Sequence, residues 1–254
     1  MRVIAIAQNS FREAVRDKVF VIVAAFGLLM IASSVIMSPL TVGAREKIVA
    51  DMGLSTVSMF SMLVILFVGS GMVYKEIDKR TITVILSKPV SRLEYMLGKF
   101  FGLAATLATM FVAMTGLFWC ACALTQVDFE AAFLGSIFLS YMEMLVVTAL
   151  MILFSSFTTP VLTSLFTLAV YVVGHLVRDL ESFALVTGSE ALFSAMRVFK
   201  TVLPNLDLFN IRNAVVHGFP VAASQILWAS AYAVVYAGIL LVLSGLIFRR
   251  REFR

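Results

Sequence analysis

Long apolar runs separated by short polar segments dominate the chain. A membrane-crossing helix needs about 20 mostly apolar residues. Four runs meet this requirement directly, at about residues 19–38, 54–74, 100–125 and 221–248. A fifth run, 131–177, would be about 70 Å long as one helix, so we expect it to fold back at the Ser-Ser-Phe-Thr-Thr-Pro segment. The pattern therefore predicts six spans, the fourth and fifth at about 131–155 and 160–177.

The amino-acid composition also indicates that lipid surrounds most of the chain. The 254 residues are 61% hydrophobic and 14% charged, whereas soluble chains carry roughly 25% charged residues. The mean hydropathy is +1.01, too high for a soluble globule or a disordered chain. The net charge is +5, but the basic residues flank the apolar runs, so no nucleic-acid partner is expected. The fold class predicted is an all-α integral membrane protein, with residues 1–254 forming one transmembrane domain in contact with lipid.

The distribution of Lys and Arg predicts orientation. Segments 1–18, 75–99 and 249–254 carry 14 of these residues, and the opposite segments carry 6. If 131–155 did not span the membrane, the tail would lie outside and the 178–220 loop inside. The count of Lys and Arg would again be 14 to 6, because each of these two segments carries four. The tail packs its four next to the membrane, which favours six spans with both termini and the 75–99 loop in the cytoplasm.

Two segments outside the spans have helical periodicity. In residues 1–18, Val3, Ala7 and Phe11 recur at helical spacing, which predicts an amphipathic helix on the inner leaflet. The alternative is an ordinary basic anchor. The extracytoplasmic loop 178–220 is long for a connection. We expect helical pieces there, either packed on the outer face or capping an outer gate.

The 75–99 loop carries an apolar stripe with charges of both signs around it. Ile82, Ile85 and Leu86 would line one side of a short helix, which Pro89 ends. Ser91 is placed to cap the next helix. Such a stripe suits a groove on a cytoplasmic partner. The alternative is a solvated hairpin packed beneath the protein's own bundle.

This loop resembles the cytoplasmic loop of ABC-2-type permeases, the membrane subunits of ATP-driven exporters. Members typically show a Glu, a Gly-Thr or Arg-Thr pair, an apolar stretch, then Leu-Ser-x-Pro-Val-Ser-Arg and Leu-Gly-Lys. The matching residues of the coupling segment are Glu76, Arg80, Thr81, Leu86, Ser87, Lys88, Pro89, Val90, Ser91 and Arg92, followed by Leu97-Gly98-Lys99. Arg80 replaces the commoner Gly. Ser155-Ser156 before Pro160 and Leu203-Pro204-Asn205-Leu206 match as well, so the resemblance covers the chain in the family's order, and it is nearest to the branch named for multi-copper-enzyme maturation.

The resemblance implies that the loop is a coupling helix seated in a cleft of an ATP-binding subunit, with Lys79, Arg80, Thr81 and residues 86–92 carrying the coupling. The chain has no Walker A loop, since Phe100 follows Gly98-Lys99 and no Gly stands five residues before Gly98. We therefore expect no enzymatic activity and no cofactor in this chain. Two copies of an ABC ATPase subunit would bind ATP and Mg.

The resemblance also implies an assembly and a location. A typical exporter of this kind has twelve spans, so six imply a second permease copy, in a homodimer or with a related permease. The translocation path would lie at that interface, lined by spans one, two and five. Gly98-x-x-x-Gly102 offers a close-packing patch. The expected location is the cytoplasmic (inner) membrane of a prokaryote.

Glu143 is the one acidic residue within a predicted span. It lies about 18 Å from the outer face, close to the bilayer midplane. An acid at that depth should face the bundle and have a partner or a proton. It is either a translocation site, contacting substrate or a proton, or a packing residue bonded to a hydroxyl such as that of Tyr171 or a Thr.

Three other functions were weighed. An ATP-independent secondary transporter or channel would favour several intramembrane charges and an inverted repeat, which the sequence lacks. Gly69-Ser70-Gly71 and His175 suggest a rhomboid-type protease, but the predicted spans separate Ser70 and His175 by about 20 Å, and a Ser–His pair needs contact near 3 Å. Fourteen methionines and Cys120-Ala121-Cys122 suggest soft-metal transport. Methionine is, however, an ordinary gap filler.

Overall fold

The computed structural model describes residues 2–16, 20–37, 45–70, 91–187 and 203–250, which are helical and contain no strand. The α-helices are α1 (Arg2–Ala14), α2 (Phe20–Met37), α3 (Arg45–Val64), α4 (Arg92–Thr125), α5 (Ala131–Ser155), α6 (Pro160–Thr187), α7 (Arg212–Val216) and α8 (Ala223–Arg250). A π-helical turn, Ile65–Gly69, continues α3, and a 3₁₀ turn, Leu206–Phe209, precedes α7. The all-helical prediction is confirmed over these residues.

Four helical segments of the described chain are long and apolar enough to cross a membrane. They are Glu46–Gly69, Arg92–Thr125, Ala131–Ser155 and Ala223–Phe248, and Pro160–Leu176 is a shorter apolar helix. The first predicted span corresponds to α2, which is 18 residues long. The six-span topology stays a prediction.

The outward faces of these helices carry large apolar side chains. Val112, Val161 and Trp228 are 74%, 78% and 76% exposed. Exposed apolar surface of this extent is unfavourable in water and is what contact with lipid tails requires.

Three helices are longer than the apolar runs that predicted them. Helix α3 begins at Arg45 instead of residue 54, α4 begins at Arg92 instead of residue 100, and α6 continues to Thr187 instead of ending at 177. The predicted values are limits of membrane spans rather than helix ends, and as span limits they stay predictions. An apolar run marks the part of a helix that suits hydrocarbon, whereas backbone hydrogen bonding continues into polar residues.

The start of α4 is set by a capping box. The Glu94 amide donates to the Ser91 hydroxyl at 3.2 Å, and the Ser91 amide donates to the Glu94 carboxylate at 2.7 Å. The prediction that Ser91 caps this helix is confirmed.

Helix α5 lies at the centre of the bundle, where it packs against α3, α4, α6 and α8. Leu139 and Val146 on this helix are completely buried. Side-chain hydrogen bonds tie it to its neighbours. The Tyr141 hydroxyl donates to the Ala104 carbonyl of α4 at 3.2 Å, and the Ser244 hydroxyl of α8 donates to the Ile152 carbonyl at 3.3 Å.

Helix α1 packs on the first turns of α4 through the two glycines of the Gly98-x-x-x-Gly102 patch. A methyl group at Gly98 would lie 2.6 Å from the Ile6 Cβ, and one at Gly102 would lie 2.5 Å from the Ser10 Cβ. Nearby, the buried Lys99 ammonium lies 3.8 Å from the Glu13 carboxylate. The patch therefore contacts a helix of its own chain, which corrects its reading as a surface offered to a second permease. That α1 lies on the inner leaflet stays a prediction.

The end of α8 lies beside the start of α4. The Arg92 guanidinium carbon lies 5.6 Å from the centre of the Phe248 ring, and its Nη1 donates to the Phe248 carbonyl. A methyl group at Gly245 would lie 2.8 Å from a Leu93 methyl. Helix α1, the start of α4 and the end of α8 thus gather at one end of the bundle, as the orientation prediction requires. Which side of the membrane this end faces stays a prediction.

Candidate functional site

A cavity of about 470 Å³ lies between α3, α5, α6 and the segment leading into α7. One part of its wall is apolar, formed mainly by Leu and Met side chains of α3 and by Leu168 and Val172 of α6. The other part is polar and consists of Ser55, Ser58, Ser136, Ser140, Glu143, Tyr171, His175, Asn210 and Arg212. A mostly apolar cavity with a few convergent polar groups is the usual form of a ligand site.

Glu143 pairs with His175 at this cavity. The His175 Nε2 atom lies 3.2 Å from Glu143 Oε1, and the two side chains are 27% and 4% exposed. The prediction that Glu143 faces the bundle and has a partner is confirmed. The partner is His175, whereas Tyr171 or a Thr was expected.

The vertical separation predicted between His175 and Glu143 is inconsistent with the contact of their side chains. The sequence placed this residue at the outer edge of a span that ended at residue 177, about 15 Å from Glu143 along the membrane normal. Helix α6 instead continues to Thr187 and spans 28 residues. His175 therefore lies near the middle of α6, level with Glu143 near the middle of α5.

The contact of the His175 Nδ1 atom indicates which ring nitrogen carries the hydrogen. This atom lies 3.1 Å from the Tyr171 carbonyl, and a carbonyl can only accept, so Nδ1 carries the hydrogen in this contact. Without a further proton, Nε2 and Oε1 would face each other with lone pairs and repel. In this tautomer Nε2 therefore donates no hydrogen bond to Oε1.

Glu143 Oε1 nevertheless lacks a hydrogen-bond partner. It is fully enclosed by the described residues, and its approach to His175 does not have hydrogen-bond geometry. Two further groups lie close enough to interact electrostatically with Glu143, namely Asp207 and Tyr171. A buried acceptor left in this state is uncommon in proteins.

Hydroxyl groups hold the cavity helices in place. The Ser58 hydroxyl of α3 lies 3.2 Å from the Ser140 hydroxyl of α5, and the Ser164 hydroxyl of α6 donates to the Leu66 carbonyl at 3.1 Å. Leu66 belongs to the π-helical turn of α3, and such turns frequently lie at functional sites. Interhelical hydrogen bonds of this kind fix helix packing inside membranes.

One ion pair lies at the α7 end of the cavity. Arg212 is the first residue of α7. Its Nε atom lies 3.0 Å from the Asp51 carboxylate of α3, and the two side chains are 35% and 47% exposed. It connects α7 to α3 beside the cavity.

Most residues of the predicted coupling segment lie outside the described residues: Glu76, Lys79, Arg80, Thr81, Leu86, Ser87, Lys88, Pro89 and Val90. Their role stays a prediction. Ser91 and Arg92 are described, and both have contacts within the chain, Ser91 as the cap of α4 and Arg92 on Phe248.

The other sequence-derived candidates are not brought together. The Ser70 hydroxyl donates to the Leu66 carbonyl, and His175 contacts Glu143 and Tyr171. Cys120 is exposed and Cys122 is buried. The described ranges contain no group of three or more His, Cys, Asp and Glu residues that could hold a metal ion.

Sequence reasoning missed the His175 contact and the Asp51–Arg212 pair. A usable signal was present for the first. Tyr171 and His175 are four residues apart, so they share one face of α6, and an intramembrane acid on the preceding helix needs such a polar face.

Apolar helices of membrane-crossing length, packed around a partly polar cavity and apolar on their outer faces, define an integral membrane protein of the helical-bundle class. The family model for ABC-2 family transporter proteins matches residues 4–253. The chain belongs to this family and is an ABC-2-type permease. Membership implies, in general, an ABC ATPase partner. No curated protein matches the chain.

Proposed function

We propose that this chain is the permease subunit of an ATP-driven exporter in a prokaryotic inner membrane, with both termini in the cytoplasm. A separate ATPase subunit binds ATP and Mg and hydrolyses the nucleotide, and the permease itself is not an enzyme. The observation that carries this proposal is the family match over residues 4–253. The loop motif at residues 76–92 supports it.

The proposed assembly contains two ATPase subunits and two permeases, either identical or related. Six spans per permease would give the twelve that such exporters have, and the substrate would pass between the two permeases. The proposed inner-membrane orientation rests on the 14 to 6 distribution of basic residues between the two sides.

The structure around Ser91 suggests how a docked loop would move the bundle. The loop leads directly into α4, whose first turn is capped by Ser91 and packed on α8 through Arg92. Gly98 and Gly102, about two and three turns after Arg92, are packed on α1. Force applied to the loop by an ATPase would therefore reach α1, α4 and α8 together, because these three helices are in close contact at this end.

A charge reversal within the loop tests the coupling role. Arg80→Glu should abolish co-purification of the partner ABC ATPase subunit, because the loop would lose its attraction for the ATPase cleft. Lys47→Glu is the matched control, since Lys47 is an exposed basic residue at the opposite end of the bundle. Equal retention of the ATPase by both variants would rule out the docking role of the loop.

The same complex separates the proposal from ATP-independent transport. With the Walker A lysine of the ATPase replaced, proteoliposomes holding the complex should move no substrate. Transport at the normal rate would instead assign the chain to secondary transporters or channels.

A further inference from the structure

The cavity between α3, α5 and α6 contains a buried acceptor that the protein itself does not satisfy. Glu143 is 3% exposed, lines the cavity, and its Oε1 atom has no hydrogen-bond partner among the described residues. Leaving such an atom unpaired is unfavourable. A ligand that donates a hydrogen bond to Oε1 would remove this cost.

Hydroxyl groups on the α3 wall are arranged as acceptors as well. The Ser55 hydroxyl donates its hydrogen to the Asp51 carbonyl, and that of Ser58 lies within reach of the Leu54 carbonyl and of Ser140. A hydroxyl has one hydrogen and two lone pairs, so these groups have used their donors within the protein. Ser55 and Ser58 both line the cavity and keep acceptor capacity, which favours a ligand that carries hydrogen-bond donors.

The remaining wall suits an apolar ligand body. Leu54, Met59, Met62, Leu66, Leu168 and Val172 line it. Met and Leu side chains adapt to irregular shapes, and a volume of about 470 Å³ is in the range of small-molecule sites. The cavity thus combines an adaptable apolar part with a polar part, in which Glu143 offers an unsatisfied carboxyl oxygen and Arg212 is paired with Asp51.

We propose that this cavity binds a hydrophobic ammonium compound, with the ammonium group on Glu143 and the apolar body along α3 and α6. The ammonium N–H supplies the hydrogen bond that Oε1 lacks among the described residues. The site lies within one permease, so the inference goes beyond the proposed function and does not require the ATPase. The ammonium can belong to a free amphiphilic amine or to a lipid head group.

Fluorescence binding to the purified permease tests the proposal. The protein is placed in phosphatidylglycerol nanodiscs, and the probes are dansylcadaverine, which has a primary ammonium, and its N-acetyl derivative, which is neutral. We expect the permease to bind dansylcadaverine about tenfold more tightly than the acetylated probe, because a charge-assisted hydrogen bond is lost on acetylation. Equal affinities would overturn the proposal without any variant being made.

Two matched variants locate the binding. Glu143→Gln should bring dansylcadaverine to the affinity of the acetylated probe, whereas Glu130→Gln, just before the same helix, should leave the tenfold preference intact. A preference that survives Glu143→Gln would also overturn the assignment.

Phosphatidylethanolamine added to the nanodiscs identifies the source of the ammonium. Competition with the probe indicates a lipid head group, and no competition indicates a free amine.

Failure of these binding tests would leave the proposed ATPase coupling untouched, because no nucleotide or partner enters the assay. Conversely, the Arg80→Glu variant should fail to co-purify with the ATPase but should still bind dansylcadaverine as the parent permease does.

Discussion

The contact between α1 and α4 depends on Gly102 having no side chain. A methyl group there would lie 2.5 Å from the Ser10 Cβ and 2.8 Å from the Ala7 carbonyl oxygen. The second contact is with backbone, so it cannot be relieved by turning a flexible side chain. Gly102→Ala should therefore push α1 away from α4.

Gly116 on the same helix supplies the matched comparison, since nothing lies within 4 Å of a methyl group added there. Replacing a helical glycine by alanine favours the helix by about 1 kcal/mol at either position. Overpacking costs about 1–3 kcal/mol, and only Gly102→Ala incurs it. The two variants should therefore differ in stability by about 1–3 kcal/mol, with Gly116→Ala the more stable.

Labelling of a cysteine at a buried position of α1 measures the displacement of this helix directly. Ala14 is completely buried, and Ala14→Cys adds little volume. In a background with Cys120 and Cys122 replaced by serine, a maleimide should label Cys at position 14 slowly in the parent protein and in Gly116→Ala. It should label the Gly102→Ala protein much faster.

The labelling rate and the unfolding midpoint together decide the outcome. If Gly102→Ala and Gly116→Ala label equally slowly and unfold at the same temperature, α1 does not pack on Gly102 in the membrane. A lower midpoint for Gly102→Ala with slow labelling would mean that the helices absorb the strain without separating, which also contradicts the expected displacement.

Two further predictions concern local contacts. Ser91→Ala should destabilise the start of α4 by about 1 kcal/mol, because the capping box is lost, while Ser91→Thr should keep most of the stability. Thermal unfolding in detergent measures both, and an equal loss in the two variants would contradict the capping role. Asp51→Asn and Arg212→Gln should show a coupling energy below about 1 kcal/mol in a double-mutant cycle, because the pair is partly exposed and screened by solvent. A coupling well above this value would show that the pair is more shielded than its exposure indicates.

The sequence predicted helices better than it predicted neighbours. Apolar runs located the helices because hydropathy reports which solvent a segment prefers, and Ser91 was recognised as the cap of the next helix because N-capping is a local signal. The Gly98-x-x-x-Gly102 pattern showed that something packs closely on α4. It did not show whether the partner is α1 or a second chain, because a stripe of small residues fits either.

The site illustrates the same limit. Glu143 was recognised as a buried acid that needs a partner, because an acid in hydrocarbon is costly wherever it lies. His175 was not recognised as that partner, because its depth was inferred from the end of an apolar run at Arg178. Helix α6 passes this charge and continues to Thr187, so the hydrophobic boundary and the helix end lie in different places.

The described residues on the two sides of the 71–90 segment are packed differently, which affects how the proposed coupling segment would transmit movement to the bundle. On the α4 side, Ser91, Arg92 and Gly98 fix the helix to its neighbours within its first two turns. On the α3 side, the chain enters from a π-helical turn, whose Leu66 lines the cavity and accepts a hydrogen bond from Ser164 of α6. Such turns are rare inside α-helices and frequently lie at functional sites. In the proposed coupling, displacement of the segment would act on α1, α4 and α8 together at one side, and on α3 at the other through the turn that lines the cavity beside Glu143.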